Sequence, residues 1–134
     1  MRKIMTALAA TALVLGGSAA GAKETTAEKG EAKLAKMLEG RSPGEPVQCI
    51  TTMRSNGLQV IDHVAVVYDA GSVIYVARPT DRMQLGRNDI LVIDRFSGSR
   101  LCASDVVRTI DRGSGFPTGV VFLDSFVPYT KDEG

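Results

Sequence analysis

The sequence predicts an all-β domain: six or seven short, mostly antiparallel strands forming a small barrel or curled sandwich. Three observations lead there. Runs such as "VAVVY" and "VIYVA" are rich in the β-branched and aromatic residues that fit a pleated surface. Turn signals fall between the runs. The runs recur at short, regular spacing, the pattern of a sandwich or barrel.

The elements follow in chain order. Arg2 and Lys3 precede an uncharged stretch from Ile4 to Ala22 that ends in small residues, with Ala20-Gly21-Ala22 fitting a peptidase site. Residues 1–22 therefore read as a secretory signal peptide cleaved before Lys23. The alternative is a membrane anchor. However, Gly16, Gly17 and Ser18 dilute the apolar run, which is short of the roughly 20 residues that span a bilayer. Removing 22 of 134 residues leaves 112, enough for one modest core.

Residues 23–46 form a polar leader or short helix followed by a linker. Thr25 to Glu28 has the pattern of a capping box, and Ala27, Leu34, Ala35 and Leu38 share one helical face. Gly30 interrupts that helix at about 1 kcal/mol against alanine, and Gly40 would cap its end. A solvated leader is the alternative. "GRSPGEP" (Gly40–Pro46) is a breaker-rich linker.

The β domain spans residues 47–134. Predicted strands are Val47–Thr52, Leu58–Asp62, Val64–Tyr68, Val73–Ala77, Ile90–Asp94, Asp105–Asp111 and Val120–Phe126. Asn56-Gly57 and Gly71 supply the positive φ that tight hairpins need. "SGS" at Ser97–Ser99 is a turn, and "GSGFPTG" is a loop. "NDILVIDR" (Asn88–Arg95) and "SDVVRTIDR" (Ser104–Arg112) look alike. They are either a duplicated ligand-binding edge or two strands whose aspartates close turns by bonding their own backbone.

The chain has two cysteines, Cys49 and Cys102. Outside the cytoplasm an even count in a small domain reads as a bridge, and two cysteines allow one pairing. Apolar neighbours on both sides predict a buried bond between two core strands. A closed loop of about 54 residues gives roughly 4 kcal/mol by the chain-entropy argument.

Charge and motifs narrow the function. After cleavage 14 Lys+Arg stand against 15 Asp+Glu, which gives no field to attract nucleic acid or an anionic membrane surface. No second long apolar run follows, so stable membrane insertion is not expected. No cofactor or metal is expected either: the chain lacks a calcium loop, a phosphate-binding glycine loop, a dinucleotide fingerprint and a nucleophile elbow. Two cysteines and the single His63 fall short of the four ligands of structural zinc. Arg78, Arg82 and Arg87 share the loop Arg78–Asn88 and match carboxylate or phosphate geometry. They are candidate ligand- or partner-binding residues, the alternative being a charged loop that keeps the domain in solution.

With "CI" at Cys49-Ile50, "VID" at Val60–Asp62, "YVARP" at Tyr75–Pro79, "LCASDVV" at Leu101–Val107 and "FLDSFVP" at Phe122–Pro128, the chain resembles a family of small exported proteobacterial proteins of unknown function. Some members carry a second cysteine pair, where this chain has "TDRMQ" and "GVVFL". The resemblance implies export and one compact β domain, and supplies no catalytic residues.

The expectation is a non-enzymatic binding or interaction module of the bacterial cell envelope, periplasmic or secreted. Its partner would be an envelope protein or a small anionic ligand. One alternative is a small hydrolase or thiol enzyme using His63, and another is a purely structural envelope component.

Overall fold

The computed structural model describes residues 25–53, 57–86, 89–94 and 98–132. The expected signal peptide, Asn56, Arg87 and Ser97 lie outside the described residues. Among those described, the fold is all-β: ten antiparallel strands in three sheets, with one short α-helix. The sheets do not close into a barrel, and the arrangement is sandwich-like.

Helix α1 (Thr26–Met37) begins at a complete capping box. The Thr25 hydroxyl accepts from the Glu28 amide, and the Glu28 carboxylate accepts from the Thr25 amide. Two otherwise unpaired N–H groups are thereby satisfied. Leu38 caps its C-terminus, and Gly40, at φ 71°, follows in the left-handed region.

Strand β1 (Arg41–Pro43) lies inside the stretch expected to be a linker. It pairs with β10 (Val127–Lys131), Arg41 opposite Lys131. The Arg41 guanidinium reaches further, donating to the carbonyls of Gly71, Ser72 and Tyr129. Proline and glycine hide this strand from a sequence reading because it sits on a sheet edge, where proline costs no ladder bond.

The main sheet runs β1-β10-β5-β4-β3, with β3 at Leu58–Ile61, β4 at Ala65–Asp69 and β5 at Val73–Ala77. Strand β4 is buried on both faces, which explains its unbroken aliphatic run. Ala65 and Val67 join Leu34 of the helix, Ile61, Val64, Ile74 and Val76 in one core. Val66 and Tyr68 face the opposite core with Ala77, Ile50, Leu85, Leu101, Val107, Val121 and Phe126. The β4–β5 hairpin closes at Gly71, φ 91°, the positive φ expected of it.

The second layer holds two smaller sheets. Strands β2 (Cys49–Thr51) and β7 (Arg100–Cys102) pair with each other, while β6 (Asp89–Asp94), β8 (Val106–Asp111) and β9 (Pro117–Val121) form a three-stranded sheet in the order β6-β8-β9. The two look-alike segments are antiparallel neighbours, Asp89 opposite Asp111. Three of their aspartates act in turns. Asp111 accepts from the amides of Gly113 and Ser114, Asp105 from that of Cys102, and Asp89 from that of Gly86.

The expected strand Val120–Phe126 is two elements. β9 starts earlier, at Pro117 inside the expected loop, and the chain then turns a corner at 122–126 before β10. The corner lets Leu123 and Phe126 enter the core while the Asp124 amide bonds the Arg78 carbonyl.

Cys49 and Cys102 form a disulfide, and they are directly opposite each other in the β2–β7 ladder with Cα atoms 4.0 Å apart. The Ala103 amide donates to the Gln48 carbonyl, so the cysteines occupy a non-hydrogen-bonded pair, the closer of the two antiparallel spacings. The bond is half-buried rather than fully buried, because alternation sends the next pair, Ile50 and Leu101, into the core instead.

Candidate functional site

The loop after β5 is fixed at both ends. Pro79 bridges to Leu123, and the Thr80 amide donates to the Phe122 carbonyl. A single turn of 3-10 helix, Arg82–Gln84, is capped by the Asp81 carboxylate, which accepts from the Met83 amide. Leu85 then drops fully into the core, and its carbonyl accepts from the His63 amide. Between these anchors Arg82 and Met83 point outward, 60 % exposed at the Arg82 side chain and 76 % at Met83.

Of the three arginines that the sequence grouped, Arg78 and Arg82 both approach Glu31, at different range. Arg78 is committed to the chain's own helix. Its Nη1 lies 2.6 Å from Glu31 Oε1, and its Nη2 donates to Oε2 at 3.2 Å. This is the two-pronged geometry that makes arginine–carboxylate pairs strong. Arg82 Nη2 approaches Glu31 Oε1 at 3.7 Å and remains on the rim. Arg87 lies outside the described residues. The Glu31 carboxyl is held below its usual range, first by the Arg78 hydrogen bond and then by the charges of Arg78 and Arg82, with burial opposing. Glu31 was missed by sequence reasoning, since 47 residues separate it from Arg78 and no local spacing links them.

His63 sits in the β3–β4 turn at φ 59°, a conformation non-glycine residues seldom take. Its Nδ1 lies 3.1 Å from the Arg82 carbonyl oxygen, so the ring braces the loop from beneath. Both cysteines are in the disulfide and no thiol is left to work with the ring. Among the described residues no three His, Cys, Asp or Glu side chains gather as metal ligands, and no helix is long and apolar enough to cross a membrane.

The site is a braced, partly cationic loop with an internal carboxylate seated on one of its arginines. No protein-family model, curated protein or solved structure matches the chain.

Proposed function

We propose that the chain is an exported, non-enzymatic binding module of the bacterial cell envelope, akin to the small exported proteobacterial proteins its motifs resemble. Contact with a partner runs through the loop Arg78–Asn88. The observation that carries this reading is the exposure of Arg82 and Met83 on a turn locked by the Asp81 cap, the Leu85 anchor and the His63 brace. A rigid scaffold presenting a few exposed loop residues is how binding surfaces are commonly built. An arginine beside an apolar side chain suits an envelope protein or small ligand with a carboxylate or phosphate. The basic-apolar-small order of residues 1–22 and the disulfide support export.

The thiol-enzyme alternative has no support here, because both sulfurs are in the bond. In-cell crosslinking followed by partner capture tests the proposal. Arg82→Ala with Arg87→Ala should lower capture by about tenfold or more, roughly the loss of one charge-assisted contact, with thermal unfolding unchanged. Undiminished capture by a folded double variant would count against it.

A further inference from the structure

The inner face of the β6-β8-β9 sheet packs into the core through Leu91, Ile93, Val107 and Val121. The outer face is covered by nothing among the described residues, yet it is apolar. The ladder register sets Ile90 beside Ile110 and Pro117, and Val92 beside Arg108 and Val120. A shallow groove of about 280 Å³ runs over it, lined by Val92, Ile110, Pro117 and Val120 with the Arg108 stem. Ile90 is 41 % and Val106 47 % exposed. Contiguous apolar patches of this kind mark interaction surfaces.

Among the described strand positions of this face two are charged, Asp94 and Arg108, and they have opposite sign. Arg108 places Nη2 2.8 Å from Asp94 Oδ2 and 2.9 Å from Oδ1, both side chains about half exposed. One guanidinium nitrogen serves both carboxylate oxygens, which leaves Nε and Nη1 outside that pair.

We propose that this face is a two-fold interface between two copies of the chain. The argument is charge complementarity. A two-fold axis lays a patch against itself, so every group must tolerate its own kind or meet its opposite. Here aliphatic side chains meet aliphatic side chains, and Arg108 of one copy reaches Asp94 of the other. An acidic or basic partner would leave one member of the pair facing a like charge. A wholly apolar partner would desolvate the pair without compensation. Strands of six, six and five residues give a plane of roughly 14 by 17–20 Å. That is roughly 240–280 Å² per copy, below the standard size of a specific interface, so the dimer is weak and reversible. The proposal is independent of the Arg82 surface.

Sedimentation of the full purified chain across a concentration series tests it, using the variants Arg108→Asp and Asp94→Arg. Each alone sets like charges against each other across the axis and should weaken self-association by about tenfold or more. An equimolar mixture of the two should associate as well as the wild type, because each copy then offers what the other lacks. Both positions are exposed, and circular dichroism confirms folding. A wild-type chain monomeric at every concentration would overturn the proposal. So would a dimer indifferent to both variants, or a mixture that does not recover.

Discussion

Glu31 shows how one side chain fastens an element that would otherwise be weakly held. Helix α1 buries only Gly30 and Leu34, and the arginine clamp on Glu31 adds a polar tie on the side of the β5 loop. Because its carboxyl titrates below the ordinary 4.5, the pair contributes fully above that pH. The contribution is lost as pH falls from there through the lowered folded value. Comparing Glu31→Gln with the wild type by denaturant unfolding should therefore show a difference at pH 7 that fades in acid. The size is modest, about 0.5–1 kcal/mol at most, because both side chains are partly solvated. A difference that grows toward pH 3 would remove the clamp from the account. His63 offers a second lesson at this scale. Composition presents it as a candidate catalytic group, whereas its φ of 59° and its contact with the Arg82 carbonyl make it a brace. Neither property is written in the neighbouring residues.

At the scale of the element, Gly30 reverses its sequence-level reading. By propensity it weakens the helix. In the fold, a Cβ at this position would lie 2.5 Å from Val64 Cγ2, 3.0 Å from Ile61 Cγ2 and 3.1 Å from the Asp62 carbonyl oxygen. The helix lies so close to the β3–β4 turn that only glycine fits. Gly30→Ala should thus cost stability, roughly 1–2 kcal/mol net, the strain of overpacking exceeding the propensity gained. Proteolysis within residues 25–40 should also speed up. A variant more stable by about 1 kcal/mol, as for an exposed helix glycine, would show that the close approach is absent. The same contrast between local and long-range information sorts the strands. β4 and β5 were legible because burial on both faces needs an aliphatic run, and Gly71 announced their turn. β1 and β7 have three residues each, too few to show a period, and exist because distant partners recruit them.

For the whole molecule, the all-β class and the Cys49–Cys102 pairing were readable from composition, spacing and count. The path between layers was not, since the corners at residues 78–80 and 122–126 are set by pairings far apart in sequence, such as Pro79 with Leu123. The candidate site was half legible: the loop and Arg82 were marked by breakers and charge, while the engagement of Arg78 with Glu31 needed the tertiary fold. The disulfide acts at this largest scale. Reduction, or Cys49→Ala with Cys102→Ala, should lower the unfolding free energy by about 2–4 kcal/mol, measured by denaturant titration. An unchanged midpoint would mean the β2–β7 ladder does not need its crosslink. The pairing of β1 with β10 has a mechanical consequence. Arg41 lies opposite Lys131, the Ser42 hydroxyl donates to the Asp132 carboxylate, and the Gly40 carbonyl accepts from the Asp132 amide. Tension applied at these two adjacent points loads the rungs singly, so the strands peel rather than shear. Unravelling from the β1 side then arrests at Cys49, where the force passes through sulfur to Cys102. Everything enclosed between them, β3 through β6 included, is mechanically bypassed, although β5 and β6 lose their partners β10 and β8 as the flank beyond Cys102 extends.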